Sequence, residues 1–193
     1  MSFATGEDAL EALVALGRTL EVQGTEPISL LICGGSALNI SGLLSRATED
    51  VDVLAGTNAS GPWREMPDWL FECAEEVAKD LHLEARWLND AAASVAAMGL
   101  PAGILSRASK RSCGKLLEIA TASRIDLIAL KCFAALDPKV GKKHLSDLVD
   151  LNPTPEEMSF ACDWLLNRPT SEEFRAAVRQ LCDVLGHSDL ARE

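Results

Sequence analysis

Two aspartates separated by one residue, Asp50 and Asp52, lie in an otherwise apolar run with Val51, Val53 and Leu54. In a strand, positions i and i+2 point to the same face, so both carboxylates stand side by side while Val51 and Val53 point into a core. Two adjacent carboxylates repel each other, and half-burying them is costly unless a cation sits between them. Mg²⁺ suits that role because it takes carboxylate oxygens together with substrate phosphates. Just upstream, the apolar residues Ile28, Leu30, Leu31 and Ile32 run into Gly34-Gly35-Ser36. Glycines let a backbone turn approach phosphates closely, and a following helix start with Ser36 offers N–H and hydroxyl donors to them. The chemistry suggested is the handling of a phosphate-bearing ligand through a divalent cation.

The elements that must position these residues follow from periodicity and punctuation. A helix is expected over 7–22, with Leu10, Leu13, Val14 and Leu20 on one stripe. Residues 28–33 read as a buried strand, Ser36 as the cap of a short helix over 36–43, and 50–54 as a second strand. GTNASGP (56–62) reads as a turn-rich loop, and 65–81 as a helix with Trp69, Leu70, Cys73, Val77 and Leu81 inward. Residues 83–88 alternate like a strand, 90–98 are alanine-rich and helical, and 115–120 read as a further strand. From Ser123 onward the pattern is helical only, at 123–136, 141–150, 155–166 and 171–186. Thr154, Pro155 and Glu157 have capping-box spacing, repeated by Thr170 and Glu173. The expected layout is α+β, a sheet unit over 1–122 followed by a helical segment over 123–193, the two packed as a single compact unit.

The 193 residues are 48% hydrophobic and 24% charged, enough for one real core. The net charge of −11 argues against extended nucleic-acid binding, despite small basic clusters at Arg107, Lys110, Arg111, Lys115 and at Lys139, Lys142, Lys143. The six cysteines lie far apart without a CxxC pair, which favours reduced, buried thiols over a disulfide framework or a zinc site. No apolar run approaches a membrane span and no basic leader precedes the first helix, so the expected location is cytoplasmic.

The run Gly34-Gly35-x-Ala37-Leu38, then Gly42, Arg46, Thr48, Asp50 and Asp52, resembles the signature of the nucleotidyltransferase superfamily, the polymerase-β-like fold. It is similar to the bacterial branch that includes the nucleotidyltransferase toxins of abortive-infection systems. The likeness is specific over 30–54 and extends more weakly to Leu127–Leu151, where Lys131 is followed by KHLSDLVDL. The resemblance implies a small mixed sheet flanked by helices. It also implies transfer of an NMP group from an NTP to an acceptor hydroxyl on a protein, an RNA end or a small molecule. Mg²⁺ or Mn²⁺ would be held by Asp50 and Asp52; Gly34, Gly35, Ser36 and Arg46 would bind the nucleotide. Lys131 and Asp147 match a lysine and an aspartate that face the active site in that branch. The third metal carboxylate is Glu118, in an apolar-acid-apolar setting, or Asp90, or neither. A toxin–antitoxin or phage-defence setting, with an antitoxin-like protein partner, is one expectation; a housekeeping or antibiotic-modifying enzyme is another. The rival is a catalytically incomplete module of the same fold that binds a nucleotide or a partner.

Each residue also has a plainer reading. Arg46 pairs equally well with Glu49 or Asp50, and Thr48 orders the approach to the strand. Lys131 in an apolar helix can snorkel, and Asp147 with Asp150 can form a solvated helix face. His144 reads as structural, while His82 and His187 have no partners at ligand spacing. Trp63, Trp69, Trp87 and Trp164 read as core or groove residues, with Trp87 placed to stack a base.

Overall fold

The computed structural model describes residues 2–63 and 65–190 and is α+β, with a mixed six-stranded sheet among the described residues. The chain divides between Ser123 and Arg124 into two compact units.

The first unit opens with α1 (Gly6–Gln23), started by a Thr5–Asp8 capping box and ended by Gly24 in the left-handed conformation. Then come β1 (Ile28–Cys33), α2 (Gly34–Ile40), β2 (Val51–Asn58), β3 (Gly61–Pro62) and α3 (Asp68–Leu81). They are followed by β4 (Leu88–Asn89), α4 (Ala93–Ala97), α5 (Ile104–Arg107), β5 (Ser109–Ser112) and β6 (Leu117–Thr121). The sheet order is β3-β2-β1-β6-β5, with β4 on the other side of β2's start. Central β1 runs antiparallel to β2 and parallel to β6. A bulge between Leu31 and Ile32 skips Leu54, so that Cys33 at the end of β1 faces Asp52 at the start of β2. The core of this unit includes Leu13, Leu16, Leu20, Leu30, Ile32, Val51, Leu70, Trp87 and Ile119, all essentially inaccessible to solvent.

The second unit holds α6 (Arg124–Ala135), α7 (Gly141–Leu151), α8 (Pro155–Leu166) and α9 (Glu172–Val184). The Thr154–Glu157 capping box forms as its spacing requires. Glu157 also receives both Nε and Nη2 of Arg124, at 2.8 and 3.2 Å.

Local readings differ from the structure in four places. The segment 56–62 is not an open loop, because β2 continues to Asn58 and turns back through Ala59-Ser60 into β3. Of the expected 83–88 strand only Leu88 pairs, together with Asn89 beyond it, since Trp87 N–H closes a turn onto the Glu84 carbonyl. Helix α2 starts directly at Gly34, with Cys33 in the capping position, so Ser36 sits inside the first turn rather than capping it. The cap of α9 is Ser171, whose hydroxyl accepts the Phe174 N–H, rather than Thr170.

Candidate functional site

The site in the first unit grows from the junction of β1 with α2. Strand becomes helix there with no intervening loop, and Gly34 supplies the left-handed conformation (φ 76°) that makes this possible. A Cβ on Gly34 would collide with Oδ2 of Asp52. The glycine is therefore required twice, by its backbone conformation and by the aspartate lying against it. A Cβ on Gly35 would stand 2.9 Å from Thr48 Oγ1 and 3.5 Å from Arg46 Nη2. The turn is thus walled by Asp52 on one side and by Thr48 and Arg46 on the other.

The segment carrying Arg46 and Thr48 is fixed at two points. Asn39 of α2 clamps the Arg46 backbone, donating from Nδ2 to its carbonyl at 2.6 Å and accepting its N–H at 3.3 Å. Thr48 makes a two-way backbone bridge with Phe3, at 2.7 and 3.0 Å. Phe3 is itself buried, edge-on against Trp87 at 6.0 Å between ring centroids. Trp87 is fully buried and donates its indole N–H to the Ala74 carbonyl at 2.8 Å. It is a core anchor beneath the site and has no face open for stacking a base.

Asp50 and Asp52 are both half-buried. The carboxylate of Asp50 is oriented by two neutral donors, Thr48 Oγ1 on Oδ1 and Asn89 Nδ2 on Oδ2, each at 3.3 Å. Asn89 lies directly opposite Asp52 in the β2–β4 pairing. Ser36 is fully buried, and its hydroxyl oxygen has no hydrogen-bond partner among the described residues. An unmade hydrogen bond on a buried hydroxyl is costly, and this one sits one residue beyond the glycine pair.

The structure brings Gly34, Gly35, Ser36, Arg46, Thr48, Asp50 and Asp52 together. It does not bring Glu118 to them. Glu118 is opposite Ser29 on β1, whereas Asp52 is opposite Cys33. The side chains of Ser29, Leu31 and Cys33 share one face, so Glu118 is on the same face as Asp52 but about 13 Å further along the sheet. There it pairs with Lys110 at 2.9 Å and accepts the Ser29 hydroxyl at 3.4 Å. The position on β6 next to Cys33 falls to Ala122, whose N–H already donates to Ile32. The apolar-acid-apolar pattern is real, but its acid stands at the wrong end of the strand. Asp90 lies one residue past Asn89, where its carboxylate accepts the Met66 N–H at 3.3 Å. Among the described residues no group of three or more His, Cys, Asp or Glu side chains is arranged to hold a metal ion.

In the second unit Lys131 donates to Asp147 Oδ2 at 2.6 Å, with only 5% and 3% of the two side chains exposed. Lys131 therefore does not snorkel to water, and Asp147 is not on a solvated face; its neighbour Asp150 is. His144 Nδ1 lies 3.4 Å from Lys131 Nζ, so the histidine takes part in the same buried cluster.

Sequence reasoning missed Asn39, Asn89 and Phe3, the residues that hold the site rather than form it. Asn89 gave one weak signal, a polar residue ending an apolar run beside Asp90; Asn39 and Phe3 gave none, because their partners are remote in sequence. In comparisons with known proteins, no family model, no curated protein and no solved structure matches the chain.

Proposed function

We propose that the chain is a nucleotidyltransferase-type protein that binds an NTP with Mg²⁺ (or Mn²⁺) at Asp50 and Asp52 and transfers the NMP group to an acceptor hydroxyl. The observation that carries this reading is the direct abutment of the glycine turn on the aspartate pair, Gly34 against Asp52 and Gly35 against Thr48 and Arg46. The donor set fits a hard divalent cation, since Mg²⁺ prefers carboxylate oxygens together with phosphate oxygens, and Asp50, just before β2, and Asp52, within it, supply two carboxylates. When bound, the cation supplies charge neutralisation at the phosphates as pyrophosphate leaves.

Asp50 and Asp52 hold the cation, with Thr48 and Asn89 fixing the angle of the Asp50 carboxylate. Gly34 and Gly35 let the backbone turn tightly against Asp52, Thr48 and Arg46, and the Ser36 hydroxyl offers a donor one residue on. Arg46, beside Gly35, adds a fixed positive charge toward phosphate oxygens. Lys131 and Asp147 enter the proposal through the sequence resemblance alone, as a triphosphate contact and as its anchor or the group orienting the acceptor. An abortive-infection-like toxin with an antitoxin-like partner is the setting that resemblance suggests.

One observation favours a second reading, a nucleotide-binding module of the same fold without transfer. Glu118 is displaced along the sheet and paired with Lys110, and among the described residues no group of three or more His, Cys, Asp or Glu side chains is arranged to hold a metal ion.

Two measurements test both readings. Calorimetry with each NTP, with and without Mg²⁺, should show cation-dependent binding of at least one nucleotide; binding of none overturns both. Incubation with labelled NTPs and a cell extract should then label an acceptor, whereas binding without labelling selects the second reading.

A further inference from the structure

Four sulfur atoms gather in the helical unit. Cys132 on α6 has its Sγ 3.9 Å from Met158 Sδ on α8, and Cys162 on α8 has its Sγ 3.2 Å from that of Cys182 on α9. All three cysteines are buried. Two thiols twenty residues apart in the chain thus lie about 1 Å from the bonded S–S separation of ~2.05 Å.

We propose that Cys162 and Cys182 form a site of reversible thiol oxidation by a peroxide, closing a disulfide that ties α9 to α8. The hydrogen bond between the sulfurs distinguishes their roles. With Cys182 as donor, it pulls the Cys162 thiol below its usual value against the opposing effects of burial and Asp163. The same bond, followed by burial, pushes Cys182 up. Burial, with the neighbouring Cys162 adding to it, raises Cys132 to about 12, which keeps it a protonated, inert thiol. Access comes from α9 itself. Of the described residues of α9 only Val178, Leu181 and Cys182 are buried, and local opening of a helix with so narrow a buried seam would expose the pair.

The sulfur of the Cys162 thiolate attacks one peroxide oxygen. An S–O bond forms, the O–O bond breaks, and hydroxide leaves to take up the proton that Cys162 released. The Cys182 sulfur then attacks the sulfur of the resulting sulfenic acid. The S–S bond forms, the S–O bond breaks, and a second water departs with the Cys182 proton. The two thiols lose two electrons and two protons, and one peroxide becomes two waters. A dithiol reverses the change by exchange.

The test is to treat the folded full-length protein with hydrogen peroxide, quench it, and titrate thiols after denaturation. The expected result is a fall from six thiols to four, a mass loss of about 2 Da, a Cys162–Cys182 cross-linked peptide and full recovery with dithiothreitol. In Cys182→Ser, which keeps a hydrogen-bond donor but no thiol, the intermediate on Cys162 should be trapped by dimedone, while Cys132→Ala should oxidise as the parent does. Six thiols retained under peroxide that fully oxidises free glutathione, or a cross-link between any other pair, overturns the proposal. Cross-linking in urea but not in the native protein overturns it equally.

Discussion

The two units each hold acidic residues away from bulk water, and they do so in opposite ways. In the helical unit, Asp147 is matched by Lys131 at 2.6 Å in an almost dry setting, and the charge of each is satisfied by the other. In the sheet unit, Asp50 is half-buried and, among the described residues, is held by two neutral donors, a threonine hydroxyl and an asparagine amide. Neutral donors fix the direction of a carboxylate without cancelling its charge, whereas a buried ion pair cancels it. The difference separates an acid whose charge is left uncancelled by these two donors, as the proposed cation site requires, from an acid paired with a buried cation.

The comparison is broken most directly through Asp147. Asp147→Ala leaves the Lys131 ammonium buried without its counter-charge, and removing one partner of such a pair costs about 3–5 kcal/mol. The double change Lys131→Met with Asp147→Leu removes both charges and should restore most of that loss. Urea unfolding of the two variants beside the parent checks it. If Asp147→Ala unfolds like the parent, the pair is not a dry one, and Lys131 regains its claim as a ligand-facing cation.

The next effect belongs to the sheet unit. Asp50→Asn with Asp52→Asn keeps the shape and removes both charges. Mg²⁺-dependent NTP affinity should fall at least ~100-fold, about 2.7 kcal/mol. Stability should hold or rise, because two repelling carboxylates are gone. Calorimetry and a thermal melt, read together, separate loss of a ligand site from loss of fold; unchanged affinity would remove the carboxylates from any role in binding.

The sequence carried the local features of both sites and little of their remote support. Strand β1 was read at its observed bounds because an unbroken apolar run ends at a glycine pair, and the Asp50/Asp52 spacing is a local, period-two signal. The Thr154–Pro155–Glu157 helix start was equally local. The clamp of Asn39 on Arg46, the Phe3–Thr48 bridge and the Asn89–Asp50 bond depend on segments that meet only in the folded sheet. The Cys162–Cys182 approach was hidden for the same reason, since two cysteines twenty residues apart on separate helices carry no spacing signature.

Asn89 sharpens the view of neutral donors as an aiming device. Asn89→Ala removes one hydrogen bond to Asp50 while leaving the pair's charge intact. The expected loss is about 1 kcal/mol of Mg²⁺–NTP affinity, roughly fivefold. Asn89→Asp places a third carboxylate opposite Asp52 and should instead tighten the bare cation, measured by Mn²⁺ titration. If both variants bind as the parent does, the Asp50 carboxylate does not need aiming.

The smallest effect is expected at Glu118, and its smallness is what gives it weight. Glu118 and Lys110 form an exposed ion pair, 43% and 61% accessible, and such pairs contribute roughly 0–1 kcal/mol. Glu118→Gln should therefore shift the melting temperature little and leave Mg²⁺–NTP affinity within a factor of about two, ~0.4 kcal/mol. The ground for this is purely the strand register: Glu118 faces Ser29, four positions from the Cys33–Asp52 pair. A sheet fixes side-chain positions along its strands more firmly than any loop, because slipping by one residue would turn every core side chain of β6 to the opposite face. Leu117, Ile119 and Thr121 are buried and would all be displaced. A large loss of affinity in Glu118→Gln would thus count against the β1–β6 register itself, and with it against the separation of the two acids.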